Sequence, residues 1–523
     1  MKRWAGFALA LVSFAALAAP PRGLDQRVES LRKAIGVPGM AVVIVEDGRT
    51  TYSKGFGVRR MDEPARVDAD TIFPSGSTGK AVTVAALATL VDSGRIGWDD
   101  KVIDHLADFR MYDPWVTREM TIRDLLVHRS GLGLGAGDLL FVPRSDLSRA
   151  ESVKRLRHLK PATSFRNGFA YDNVLYMVAG QLIEAVSGQT WEDYVREHVF
   201  GPAGMLRSTT DSASRFATAD RAFPHARASG PVRGLGPQQL LDERDELGRN
   251  AAPAGGLAVS ANDMAKWLAL QLAGGKLPDG ERLFSEASHA EMWTPVVITP
   301  TGKQPASLAA LQANFSTYAL GWSVRDYRGV KLVMHGGAVL GFQCVVALLP
   351  AQNVGVSILI NSEDGEIVLG LLYELLDHYL GFPKADWLAR LSAFKQERLA
   401  GAEKAIAAVG TERAAVGPSL ALERYTGTYA DAWYGNIEVT KEGEDLRIDF
   451  RSTPRMAGRL EHWQYDTFVT RFDDPTIEPA YVTFTLDASG KIDRVKMKAV
   501  SPVADFSWDY HDLDFEPVAT AEK

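Results

Sequence analysis

With Cys344 as its one cysteine, this chain of 523 residues can form no internal disulfide, so a buried core must hold it together. Cys344 adjoins Val345, Val346 and Ala347, and nothing near it in the sequence would activate a thiol; it reads as a small buried hydrophobe, not a nucleophile. No block of Lys or Arg runs together, and the formal charge of −7 repels a polyanion on average, which excludes nucleic acid as a partner. The ten histidines are scattered, and no pair has metal-ligand spacing beside a helical carboxylate. No metal and no cofactor is expected. Residues 131–137 are Gly-rich, but no Gly-Lys-Ser/Thr follows, so they read as a mobile loop over a cleft and not as a phosphate cradle. Internal repeats and low-complexity tracts are absent, and after residue 17 no apolar run is long enough to span a bilayer.

The chain is too long for one core, which points to two or three folding units. Apolar residues make up 46% and charged residues 24%, the balance of a soluble globular protein. Lys2 and Arg3, an apolar run from Trp4 to Leu17, and Ala16-Leu17-Ala18 form a secretory signal with cleavage after Ala18. The mature chain is therefore expected to be exported, periplasmic or secreted, without an integral membrane segment.

Gly39–Val45 and Thr50–Val58 read as strands joined at Asp47-Gly48. Helical patterning then dominates to about residue 300, most clearly at Asn173–Ser187, Trp191–Val199 and Ser260–Ala273. Strand patterns return at Tyr318–Val324, Val330–Met334, Gln343–Leu349 and Val354–Asn361, and the helix Glu366–Tyr379 follows. Strands at both ends with helices between them predict an α+β unit whose sheet is closed by distant parts of the chain. Leu391–Ala415 reads as a connecting helix. Beyond Pro418 short alternating strands predict a small antiparallel barrel or sandwich. Its aromatics, Trp433, Tyr434, Trp463, Tyr465, Phe506, Trp508 and Tyr510, would fill a barrel core. The sharper alternative makes them a ligand pocket or a lid over the catalytic cleft.

Chemistry concentrates at Ser75-Gly76-Ser77-Thr78-Gly79-Lys80. The eleven residues that follow, Ala81–Val91, carry no charge, so they predict a helix buried on every side and ending at Asp92-Ser93-Gly94. Ser77 would open that helix, with Lys80 one turn on. The helix N-terminus suits developing negative charge, and a buried Lys loses its proton readily enough to accept one from a serine. As a string Ser-x-x-Lys is weak, because it recurs at Ser30–Lys33 and Ser392–Lys395, both in charged surroundings. Only Ser77 opens a buried helix. Position 75 is Ser75, not Gly, so a nucleophile elbow does not fit. Tyr171-Asp172-Asn173 precedes a helix, with the phenol and amide facing a cleft and Asp172 an exposed loop acid. His335-Gly336-Gly337 ends a strand, where paired glycines would admit a substrate backbone at the sheet edge.

The ordered set Ser77-x-x-Lys80, Tyr171-x-Asn173 and His335-x-Gly337 resembles the penicillin-recognising serine hydrolases, and most of all the class C β-lactamase type with its D-aminopeptidases and esterases. Tyr318-Ala-Leu-Gly321-Trp322, Ala254-Gly255-Gly256 and Leu126-Val-His128-Arg-Ser130-Gly131 extend the likeness. The resemblance implies a β-lactamase-like antiparallel sheet flanked by helices, plus a helical subdomain, over residues 24–390. A linker would cover 391–418, and a lipocalin-like barrel 419–520. It further implies Ser77 as nucleophile, Lys80 as its base or tuning charge and Tyr171 as proton shuttle. Asn173 would hold the substrate amide, and the N–H groups of Ser77 and Ala338, beside His335 and Gly337, would form the oxyanion hole. Either Lys80 or Tyr171 could take the first proton. Many relatives carry Lys where this chain has His335, and a neutral His holds no lasting charge for a substrate carboxylate. Small peptide amides or esters are thus the expected substrates; a β-lactamase and an acylated, non-catalytic receptor or assembly protein are the alternatives. Oligomeric state is not legible.

Overall fold

The computed structural model describes residues 19–244 and 247–519; the predicted export signal, residues 1–18, lies outside them. Helix α1 (Leu24–Ile35) leads into a hairpin of β1 (Gly39–Glu46) and β2 (Arg49–Gly57), as the Asp47-Gly48 turn predicts. Next come a 3₁₀ turn, Gly76–Gly79, and helices α2 (Lys80–Asp92), α3 (Val174–Ser187) and α4 (Ala261–Leu272). The chain then returns to the sheet through β3 (Val297–Ile298), β4 (Ser316–Tyr318), β5 (Ser323–Tyr327), β6 (Val330–Val339), β7 (Phe342–Leu349) and β8 (Val354–Ile360). Strand order is β2-β1-β8-β7-β6-β5-β4-β3, antiparallel throughout.

The sheet is closed by the two ends of the domain, with Met40 opposite Ile360 and Glu46 opposite Val354. Two interior strands, β1 and β8, are buried along their whole length, which is why they read as apolar runs and not as alternation. On one face pack α1 and α5 (Gly365–Tyr379). The other face meets α4 and the helical region around α2, whose residues Lys80–Ala88 are all buried. The predicted strand Tyr318–Val324 is two strands, since Ala319–Trp322 turns the chain and pairs Tyr318 with Ser323. The connecting helix, α6 (Trp387–Thr411), starts earlier than predicted. Asp386 caps its N-terminus and Trp387 is buried, its indole donating to Asp377 at 2.7 Å.

The C-terminal strands form a closed antiparallel barrel of eight: β9 (Gly427–Asp431), β10 (Gly435–Glu442), β11 (Asp445–Phe450), β12 (Ala457–Gln464), β13 (Thr467–Phe472), β14 (Ala480–Leu486), β15 (Ile492–Ala499) and β16 (Asp514–Pro517). Pairing of β9 with β16 removes the free edge. Trp433, Tyr434 and Tyr510 are buried in it, as the core reading requires, whereas Tyr465 is exposed. Phe506 and Trp508 do something else. They sit on the loop between β15 and β16 and line the cleft of the first domain. Among the described residues no helix is long and apolar enough to cross a membrane.

Candidate active site

Ser77 lies in the 3₁₀ turn, one step before the α-helix that begins at Lys80. The turn is anchored on both sides. Phe73-Pro74 pairs with Ala258–Val259, and the Ser75 carbonyl accepts from the Thr78 hydroxyl at 2.9 Å and from the Cys344 thiol at 2.8 Å. Cys344 is thus buried, as expected, with its thiol pushed up to about 12 by desolvation, but it also supports the turn that carries Ser77.

The glycines of the His335 motif act differently from the sequence expectation. His335-Gly336-Gly337 lies within β6, which runs on to Val339, not at a strand end. A Cβ on Gly337 would stand 2.0 Å from the Ser75 carbonyl oxygen, and one on Gly76 2.6 Å from the Ala338 nitrogen. The close approach that Gly337 and Gly76 permit is therefore that of the Ser77 turn itself, while a Cβ on Gly336 would meet nothing within 4 Å. Gly76, with φ of +51°, also needs the left-handed region that glycine enters freely. Tyr327 and Val330 close a two-residue hairpin, so even-numbered N–H groups of β6 face β5. Pairing with β5 stops at Met334, which leaves the Gly336 and Ala338 N–H groups on an open edge beside Ser77. Gly337→Ala should lower the acylation rate about 100-fold or more by displacing this turn, with the fold intact by circular dichroism. A rate within a factor of about two of wild type would show that the turn can shift without consequence.

Lys80 is wholly buried. Its Nζ donates to Ser77 Oγ at 3.1 Å, to Asn173 Oδ1 at 2.7 Å and to the Ala254 carbonyl at 2.8 Å, and it sits 4.9 Å from the centre of the Tyr171 ring. Burial pushes its pKa down from the usual Lys range to about 7, against the opposing carboxylates of Asp138 and Asp172. The Tyr171 hydroxyl makes no hydrogen bond of ordinary geometry, yet it is near enough to Ser77 for that hydroxyl to oppose the strong upward push of burial.

Asn173 lines the cleft with its amide already engaged on both sides. Its oxygen accepts from Lys80 and its nitrogen donates to Asp138 at 2.8 Å, so it bridges two buried ionisable groups. Asp172, expected as an exposed acid, is fully buried: Ser130 donates to it at 2.8 Å, and its own backbone N–H donates to His128 Nδ1 at 3.2 Å. Nor does residue 131–137 form a free loop. Gly135 N donates to the Tyr171 carbonyl at 2.9 Å, and Gly137 N to Asp509 of the barrel at 2.6 Å.

His335 Nδ1 donates to the Gly336 carbonyl at 2.6 Å, so Nε2 accepts from the Tyr318 hydroxyl at 2.8 Å. Desolvation and the nearby Lys80 push its pKa down to about 3, so the ring is neutral at working pH. Ser77, Tyr171, Asn173, His335, Gly337 and Ala338 all open onto one cleft of about 820 Å³, whose far wall is the barrel segment 501–508. Among the described residues no group of three His, Cys, Asp or Glu side chains could hold a metal ion.

Several members of this site escaped the sequence reading. Ala254 and Tyr318 were visible only as part of a resemblance. Asp138 did leave a signal, as the lone charge in residues 131–142. Ser507 and Asp509, remote in the chain, left none.

The sequence model of the Beta-lactamase family matches residues 24–378, and one described as a domain of unknown function, DUF3471, matches 411–517. The chain is 28% identical to the Unguisins hydrolase of Aspergillus campestris over 78% of its own length and 75% of that protein. It is 29% identical to Penicillin-binding protein 4 of Amycolatopsis lactamdurans, covering 68% and 88%. In fold it is similar to the octameric penicillin-binding protein homologue from Pyrococcus abyssi, with a TM-score of 0.59 at 21% identity over 91% of this chain and 97% of that one. The penicillin-binding protein from Bacillus halodurans has a TM-score of 0.53 at 21% identity over 66% and 98%. Matched over most of its length, the chain belongs to the β-lactamase family of serine hydrolases.

Proposed function

We propose that this protein hydrolyses small peptide amides or esters through an acyl-enzyme on Ser77. The observation that carries the reading is the 3.1 Å contact between Ser77 Oγ and a wholly buried Lys80 poised near neutrality. Lys80, as the neutral amine, takes the Ser77 proton while Oγ bonds to the substrate carbonyl carbon. The oxyanion gathers beside the N–H groups of Ser77 and Ala338. Burial keeps the Tyr171 phenol protonated, which favours Lys80 over Tyr171 as the first base and leaves Tyr171 to relay a proton to the departing amine or alkoxide. Water then cleaves the ester, and Ser77 recovers its proton.

Neutral His335 gives no lasting cation for a substrate carboxylate, which supports amides and esters over β-lactams. Export, with residues 1–18 as signal, and the lipocalin-like reading of the barrel belong to the same proposal; the latter rests on the barrel's eight-strand closed order. A relative named for hydrolysis and another named for penicillin binding fit an acyl-enzyme without choosing the substrate.

A fluorophosphonate probe should label the wild type and leave Ser77→Ala unlabelled. An unlabelled wild type removes the enzyme reading. A panel of D- and L-peptides, p-nitrophenyl esters and a cephalosporin then assigns the substrate. Cephalosporin turnover near the diffusional limit, flat from about pH 6 to 8, would overturn the preference argued from His335.

A further inference from the structure

Behind Lys80 lies a group of buried polar side chains that the acyl-enzyme chemistry does not use, and it crosses from one domain to the other. Asp138 is fully buried. One of its oxygens, Oδ2, accepts from Asn173 Nδ2 at 2.8 Å and from the hydroxyl of Ser507 on the barrel loop at 2.7 Å, while Oδ1 has no donor. Asn173 in turn accepts from Lys80 at 2.7 Å. The result is an unbroken chain from barrel to catalytic lysine: Ser507, Asp138, Asn173, Lys80. The Gly137 and Leu139 N–H groups both donate to Asp509, which grips the backbone on either side of Asp138.

We infer that Asp138, clamped by Ser507 of the barrel, is a positioning residue that sets the charge and the place of Lys80 through Asn173. The barrel is then a working part of the active site and not an appendage. This rests on the Ser77 reading above. The lysine's ammonium can only donate, and an ionised Asp138 can only accept, so the Asn173 amide is held in the single orientation that satisfies both. An ionised Asp138 favours the ammonium of Lys80; a protonated one releases Lys80 to the amine that can act as a base. Burial pushes the Asp138 carboxyl up to about 7, and the hydrogen bonds from Ser507 and Asn173 and the charge of Lys80 pull the other way. Docking of the barrel therefore tunes a group near its midpoint at neutral pH. The other groups facing the pair are Asp172 and the rings of Tyr171 and Tyr176 toward Lys80, His128 and His335, both pushed down by burial, and Asp505 and Asp509 of the barrel toward Asp138.

The test is the pH dependence of fluorophosphonate labelling on the full chain, comparing wild type, Asp138→Asn and Ser507→Ala. Asp138→Asn keeps an acceptor for Asn173 and Ser507 but removes the charge. The acidic limb of its labelling rate should move to lower pH by about one unit. Ser507→Ala, which lets the carboxyl rise further, should move the limb the same way by less. Asp138→Ala, which also frees Asn173, should in addition lower the plateau. Acidic limbs in Asp138→Asn and Ser507→Ala that superimpose on wild type, or a uniform loss of rate with no movement in pH, overturn the inference, because a merely structural role scales the curve without shifting it. A wild type that is not labelled removes the Ser77 reading itself, and this inference with it.

Discussion

Lys80→Met should slow acylation of Ser77 by about three orders of magnitude while leaving a folded protein. Met is unbranched and one atom shorter than Lys, so it fills most of the same space but cannot take a proton. The loss follows from the absence of another base in reach. Among the described residues, Lys80 is the group with a pKa near 7 that hydrogen-bonds Ser77, while Tyr171 is pushed well above its usual value and both His335 nitrogens are engaged elsewhere, with Tyr318 and Gly336. Lys80→Arg should not rescue activity, since a guanidinium stays charged at any working pH. Both rates are read from fluorophosphonate kinetics and from the burst with a p-nitrophenyl ester. Activity of Lys80→Met above about a tenth of wild type would place the base elsewhere. The same lysine makes stability depend on pH. Its folded pKa, about 7, lies below the unfolded value of 10.5, so between them the unfolded chain binds more protons and stability rises with pH. Below about 7 the penalty of the buried ammonium is fully present. Lys80→Met should lack this rise, which thermal unfolding at pH 7 and pH 9 would show.

Asp509→Ala should loosen the contact between the barrel and the first domain. It strips the acceptors from the Gly137 and Leu139 N–H groups at a buried interdomain contact, bonds of 2.6 and 3.1 Å. Each orphaned N–H costs about 1–3 kcal/mol, partly offset by relief of a buried carboxyl, for a net loss of about 2–4 kcal/mol. That carboxyl is pushed well above its usual range, by burial first and by Asp138 second. Because the loosened segment also carries Asp138 and meets the Tyr171 carbonyl, labelling of Ser77 should fall as well. Asp509→Asn keeps one acceptor and should fall between the two. Thermal unfolding and limited proteolysis near residues 133–140 read the effect. A melting temperature equal to wild type and an uncut loop would show that the barrel does not hold this segment.

Where neighbours in sequence decide the structure, reading residues was enough. The Asp47-Gly48 hairpin, the uncharged helix after Lys80 and the apolar interior strands of the sheet are local patterns imposed by burial, and each appears at its place within a few residues. The Ser77–Lys80 pair is local too, one turn apart. Misreadings came where a partner is distant. Asp172 looked exposed because nothing in its own segment announces Ser130 and His128. The 131–137 glycines looked mobile because the groups that pin them are distant, Tyr171 for Gly135 and, more than 370 residues later, Asp509 of the barrel for Gly137. Of the two glycines after His335, Gly337 is packed against Ser75 from a remote segment, whereas Gly336 stays open.

The sequence by itself determined which residues could act and what kind of chemistry they could do, since a serine and a lysine one turn apart on an uncharged helix constrain both. Only the tertiary structure decided their state. Lys80 falls to about 7, and His335 to about 3, because layers from remote segments exclude water around them. Desolvation is a property of everything packed around a group, and no stretch of chain records it locally. The same holds for the bond from Ser507 to Asp138, which joins the barrel to the lysine across two domains.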